Sequence, residues 1–287
     1  MSPDLMPLHD WTLEMKKKGR RQHFTSRFYL RHFAEPMGSE NLQVFTKEEC
    51  KWRKRSSKSI AFESDFYATV YIDGIESNGF DCFFKKYVED PAAPVLQRIA
   101  RSRVLNKQDR PILARFIGFT AARSPDLIRN VRISHEKAQS LTCQADFDKL
   151  LQQYCTITGQ VWGPHIGQQL LHEDALNAAF MWGQSLEYRF LYYNWHLLCT
   201  TRHEPFVTSD RPVFAEKELD DSAYLVSLPV SSEVAVLIFD GGSLNPNRDK
   251  SREVATINVQ TLRRADRFVA CCQQTFPGDE ILNEWRK

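Results

Sequence analysis

The chain has 287 residues, 42% of them hydrophobic and 12% aromatic, which is enough for a sizeable core and too apolar for a disordered protein. Its formal charge of +2 hides an asymmetry: residues 1–60 carry 13 Lys and Arg against 7 Asp and Glu, and the remainder balances at −4. No apolar run approaches the roughly 20 residues of a membrane-spanning helix, and the start lacks the basic and apolar regions of a signal peptide. Seven scattered cysteines without a C-x-x-C pair exclude a disulfide scaffold and a zinc knuckle, so the expected setting is a reducing cytoplasm with no membrane contact.

Residues 1–20 are polar and basic and read as a loosely held arm, leaving 21–287 as a single domain. Gln22 to Phe33 sets five large apolar groups among four basic or imidazole side chains. This predicts an extended lead-in, then one or two helical turns capped by Thr25 or Ser26. Leu42–Phe45 reads as a short strand and Lys51–Ser59 as a basic loop. Phe80, Phe83, Phe84, Tyr87 and Val88 keep helical spacing until Pro91 and Pro94 break or restart the helix before Val95–Leu105. Ile112–Ala122 is a further helix. Ser124 then caps another, with Pro125 at its first position, running to about His135. A helix over Phe147–Ile157, a linker over Gly159–Pro164 and a long helix over 165–188 complete this part.

From Phe190 the residues turn bulky and β-favouring. The run through Leu198 is expected to pair with Phe206–Thr208 across Thr200–Glu204. Tyr224–Leu228 and Val234–Phe239 are two more strands. Loop residues fill 240–247, a helix covers about 252–265, and Phe268–Cys272 is the last strand. The order predicts an α+β fold in which a helical N-terminal two-thirds packs with a C-terminal antiparallel sheet.

Candidate chemistry gathers at a few positions. Phe206–Val213 reads as a strand ending at once in a polar turn, where Ser209 and Asp210 bond back to backbone amides and Pro212 stops the ladder. The Asp210 carboxylate would then sit at a sheet rim with its direction fixed. His23 is the candidate general acid or base, and neighbouring Arg21, Arg27 and Arg31 would favour its neutral form. Glu89 and Arg123, on successive helices, are expected to form an ion pair, and an arginine so held can clamp a phosphate or carboxylate. His165, Gln169, His172 and Glu173 share a helix face, but without H-E-x-x-H no metal site is assigned. No phosphate-cradling glycine loop and no G-x-S-x-G elbow is present, so no cofactor is expected. Trp52, set among Lys51, Arg53 and Arg55, is a possible stacking platform for an unpaired base.

Several stretches together resemble the domain of unknown function 4238 family of bacterial proteins. His23-Phe24-Thr25-Ser26-Arg27-Phe28-Tyr29-Leu30-Arg31-His32-Phe33 is similar to the family's opening H-Y-V-P-x-F-Y-L-K-x-F. Asp65-Phe66-Tyr67, then Val88–Ile99, resemble its D-F-Y element and following helix. Arg123-Ser124-Pro125 stands for R-T-P, Phe206–Val213 for F-I-T-S-D-x-P-V, and Ile257-Asn258 for an L-N pair. Arg211 replaces a common Asn and adds a cation beside Asp210. The resemblance runs from about residue 20 to 275 and implies one domain without implying an activity.

Two functions are compatible with these residues. The first is a ligand- or partner-binding module whose polar positions hold the fold around a groove, with Arg27, Ser209 and Arg211 as ligand-binding candidates. The alternative is a metal-independent, ribonuclease-like enzyme acting on phosphodiesters. In it His23 shuttles the proton, Asp210 orients it, and Arg123, with Glu89 beside it, binds phosphate together with the N-terminal cations. In either case the basic N-terminal third reads first as a solvated face or flexible arm, with contact to nucleic acid or another polyanion as the alternative.

Overall fold

The first described strand, β1 (Arg21–His23), runs into a single helical turn, α1 (Arg27–Leu30), continued by a 3-10 turn over Arg31–Phe33. The computed structural model describes residues 21–70, 76–125, 128–130, 133, 164–217, 224–239 and 249–285. The expected arm over 1–20, the helix over 147–157, nearly all of the 159–164 linker and the loop over 240–247 lie outside the described residues.

The fold is α+β, with two four-stranded antiparallel sheets. One has the order β7 (Asn194–Cys199), β11 (Val234–Phe239), β10 (Tyr224–Ser231), β9 (Phe214–Lys217). The other has the order β3 (Lys51–Ser56), β2 (Asn41–Thr46), β12 (Phe268–Cys271), β8 (Thr208–Ser209). Short ladders join β1 to β4 (Phe62–Ser64) and β5 (Thr69–Val70) to β6 (Glu76–Ser77). The expected division into a helical front and a sheet-forming back is therefore too simple, because the second sheet draws strands from both ends of the chain.

Two local expectations also change. The basic stretch after Cys50 is strand β3, not a loop. Trp52, edge-on to Phe45 and Phe276, is its single apolar residue, so no apolar alternation betrays the strand. Lysine and arginine along an outer strand discourage pairing with another sheet. Phe206–Thr208 does not pair with β7. Its amides are already taken: Phe206 N donates to Ser232 O, and Val207 N to Asn258 Oδ1. β7 aligns instead with β11, from Val234 opposite Cys199 to Phe239 opposite Asn194.

The helices follow the apolar spacing more closely. α2 (Gly79–Phe83) passes through a wide π turn over Phe84–Glu89 into α3 (Asp90–Ser102). Pro91 stands at the start of α3 and Pro94 lies inside it, yet the helix runs on to Ser102, so the prolines do not end the element. α4 (Arg110–Ala122) lies against the long α5 (Pro164–Leu191). A Cβ added at Gly118 would stand 2.7 Å from Gly183 O and 2.9 Å from Glu187 N, so these two backbones approach as closely as glycine permits. Gly118→Ala should therefore push the helices apart and cost about 1–3 kcal/mol in urea denaturation. An unchanged midpoint would show that the pair is not close-packed there.

The aromatic N-terminal stretch is wedged between the sheets. Tyr29, fully buried, donates to Pro229 O at 2.7 Å and shares a 2.8 Å bond with Thr208 Oγ1. His32 Nδ1 lies 3.1 Å from Val230 O. α6 (Lys250–Arg264), capped by Asp249, precedes β12, and α7 (Leu282–Trp285) follows it. Among the described residues no helix is long and apolar enough to cross a membrane.

Candidate functional site

Ser26 sits at the N-cap of α1, yet its hydroxyl caps nothing. It donates to Glu89 Oε1 at 2.6 Å and accepts from Arg123 Nη2 at 2.6 Å. Arg123 Nη1 closes the triangle on Glu89 Oε1 at 2.7 Å. The ion pair expected from sequence thus exists, and its arginine is only 1% exposed, stacked over the Phe84 ring. Burial works against the Arg123 charge, but the Glu89 carboxylate prevails and holds its pKa above the ordinary value.

His23 stands within the field of this triangle. Burial first, then the charges of Arg27, Arg123 and Arg21, lower its pKa against the opposing pull of Glu89, so the imidazole is neutral at pH 7. Its Nε2 is buried without a hydrogen-bond partner among the described residues, as is the Tyr67 hydroxyl, whose pKa is pushed far up by burial. The structure places the Glu89 and Arg123 charges within reach of His23. Asp210 is not one of the charges acting on His23.

Asp210 serves a different task. Its Oδ1 accepts from Asp266 N at 3.1 Å and Oδ2 from Arg267 N at 2.9 Å, pinning the turn before β12. Its own carbonyl accepts from Thr25 Oγ1 at 3.4 Å. It is 2% exposed, and burial raises its pKa to about 6 despite these amides. Ser209, wholly buried, accepts from Arg211 N at 3.1 Å, the local turn bond that the residue types predict. Arg27 pairs at 3.4 Å with Glu40.

Arg211 belongs to a separate cleft of about 220 Å³, bounded by α4, α5, α6, strand β10 and the turn after β8. Arg189, Arg211 and Arg264 line it with Thr120 and Ser124, between walls that include Leu186, Phe190 and Val226. Arg264 lies over the Phe214 ring, and burial together with the nearby Arg211 lowers its pKa. Thr120 is 5% exposed, and its hydroxyl has no hydrogen-bond partner among the described residues. Among the described residues no group of three His, Cys, Asp or Glu is placed to hold a metal; His172 Nε2 lies 3.1 Å from Phe66 O, and the side chains of His165 and Gln169 lie outside those residues.

The motif positions thus fall in order along the fold, from β1 to α6. A family model described as Protein of unknown function (DUF4238) matches residues 21–275. The chain belongs to this family. No curated protein and no solved structure matches it. In this DUF4238 chain the recognisable polar positions are chiefly those that tie distant segments together. Asn258, assigned only to a motif by sequence, is fully buried inside α6 and bonds Pro205 O, Val207 N and Pro277 O. Arg189 and Arg264 escaped the sequence reading because each looks like an ordinary helix-surface cation. A cleft between α5 and α6 leaves no spacing signal.

The basic clusters are partly accounted for as well. Arg53 and Arg55 both bond Glu49 at 2.7 Å. Trp52 is engaged with Phe45 and Phe276 and is not a free stacking platform.

Proposed function

We propose that the protein is a ligand-binding module that takes a small organic anion in the Arg189–Arg211–Arg264 cleft. The observation that carries this reading is three guanidiniums on an otherwise largely apolar cleft, beside a buried Thr120 hydroxyl with no partner. Guanidinium groups bind carboxylate and phosphate oxygens bidentately, and apolar walls strengthen such bonds by excluding water. The residues singled out by sequence then act as scaffolding. Arg123, held by Glu89 and Ser26, anchors the end of α4, which supplies Thr120 and Ala121 to the cleft. Asp210 fixes the turn from which Arg211 emerges.

The phosphodiester-cleaving alternative has less support. Arg123 is buried against Glu89, and Asp210 is spent on backbone amides, so neither is offered to a phosphate chain. Among the described residues His23 Nε2 has no hydrogen-bond partner, and neither do Arg27 Nε and Arg123 Nε, so an unbonded nitrogen does not single out a proton shuttle. Binding of a polyanion by β3 and the N-terminal third stands as the second partner proposal.

Calorimetry and thermal shift with carboxylates and phosphate monoesters test the reading, with labelled RNA and DNA as separate arms. Some small anions should raise the Tm, and Arg211→Ala or Arg264→Met should weaken them by roughly tenfold or more. Anion binding indifferent to both substitutions would remove the cleft from consideration. RNA binding or cleavage that depends on His23 would favour the alternative.

A further inference from the structure

The cleft's size and walls narrow the ligand further. A cavity of about 150 Å³ lined by aliphatic and aromatic side chains accommodates benzene. At about 220 Å³ this one has room for a six-membered ring with a single head group and little beyond. A dinucleotide or a nucleic-acid strand does not fit inside it.

The walls distinguish the kind of ring. Trp182, Phe190 and Tyr193 all line the cleft, with Leu186, Val213 and Val226 completing its apolar surface. Phe190 and Tyr193 are tilted partners at 6.3 Å between centroids, an arrangement that favours a further ring over an aliphatic chain. Arg189 Nη2 approaches the Tyr193 hydroxyl at 3.5 Å, so one cation is held at the hydroxyl edge of a cleft-lining ring. Arg264 is likewise held over Phe214 at 5.4 Å. Cations and rings are thus interleaved, and a flat ligand with a charge at one end can use both.

We infer that the cleft binds a single aromatic ring bearing one oxyanion head group, carboxylate or phosphate, with the head toward Arg211, Arg264 and Thr120 and the ring against Phe190, Tyr193 and Trp182. This rests on the anion-binding reading above and adds the identity of the body that carries the anion. Trp182, 43% exposed, lies at the mouth and reports occupancy.

The test uses the full chain with five probes: phenyl phosphate, benzoate, cyclohexanecarboxylate, inorganic phosphate and phenol. Binding is followed by calorimetry and by tryptophan emission. The chain has six tryptophans, so the Trp182 signal is taken as the difference between wild type and Trp182→Phe. Phenyl phosphate or benzoate should change the emission of wild type. In Trp182→Phe the calorimetric isotherm should persist, weakened, with most of the emission change gone. Cyclohexanecarboxylate should bind about three- to tenfold more weakly than benzoate, the scale of an aromatic contact. Inorganic phosphate and phenol, each lacking half of the recognised structure, should bind more weakly still.

If cyclohexanecarboxylate or inorganic phosphate binds as tightly as the aromatic anions, and Arg264→Met abolishes it, the aromatic inference fails while the anion-binding reading stands. If no probe binds, or binding ignores both Arg264→Met and Arg211→Ala, both fail together. Circular dichroism establishes that each variant is folded. Should Arg264→Met misfold, Arg211→Ala alone decides between the outcomes, since its side chain is only half-buried.

Discussion

Glu89→Gln should destabilise the fold by about 3–5 kcal/mol, because it strands a fully buried guanidinium without a counter-charge. Arg123 is 1% exposed, and its Nη1 and Nη2 depend on Glu89 and Ser26. A glutamine keeps the shape and one acceptor but removes the charge that offsets desolvation. The reverse change, Arg123→Met, should cost less. The Glu89 side chain is 22% exposed and can recover hydration once its partner is gone. Methionine also retains contact with Phe84. The ordering is the informative part, since a surface ion pair would give two small and similar losses. Urea denaturation of the two single variants and of Arg123→Met/Glu89→Met should show a double variant well short of the sum. Additive losses would mean that the two charges do not depend on one another.

That pair was legible because both residue types lie at helix ends, where oppositely charged long side chains have a strong reason to meet. What the sequence concealed is the third member. Ser26 has the right type and position for a helix cap, and local rules stop there. Its hydroxyl goes elsewhere because Arg123, brought from almost a hundred residues away, needs an acceptor that α1 does not. Strand β3 was missed for a related reason. An edge strand with one inward tryptophan has no periodicity to read, and its cations look like loop chemistry. The predicted pairing of Phe206–Thr208 with β7 failed through Asn258, a side chain that captures a strand amide and appears in sequence only as one polar residue in a helix. The helices over Arg110–Ala122 and Pro164–Leu191, the β10–β11 hairpin and the Phe206–Val213 turn were readable, since each is set by its own apolar spacing or turn residues. The cleft was not, because its cations reach it from α5, α6 and the turn after β8.

Asp210 allows a sharper test, since burial and hydrogen bonding act on it in opposite directions. Burial raises its pKa from 3.8 to about 6; the Arg267 amide opposes this, the Asp266 charge adds to it, and the amides of Phe268 and Asp266 oppose it again. A folded-state pKa above the ordinary one means that the folded chain binds more protons between those two values. Its stability therefore falls as pH rises through that window, by about 3 kcal/mol for a shift of this size. Asp210→Asn carries no titrating group, and other ionisations largely cancel when it is compared with wild type. At pH 4 the wild type should hold its greatest advantage over the variant. That advantage should shrink towards pH 7.5 by roughly 2–3 kcal/mol, because only the aspartate must bury a charge. Chemical denaturation of both chains at pH 4, 5, 6 and 7.5 measures the difference directly. If the gap instead widens with pH, the amides of the 266–268 turn outweigh desolvation and the carboxylate belongs in its charged form. The same pH series read on anion binding separates scaffold from contact: if Asp210 only holds the turn that carries Arg211, its ionisation should move stability far more than affinity.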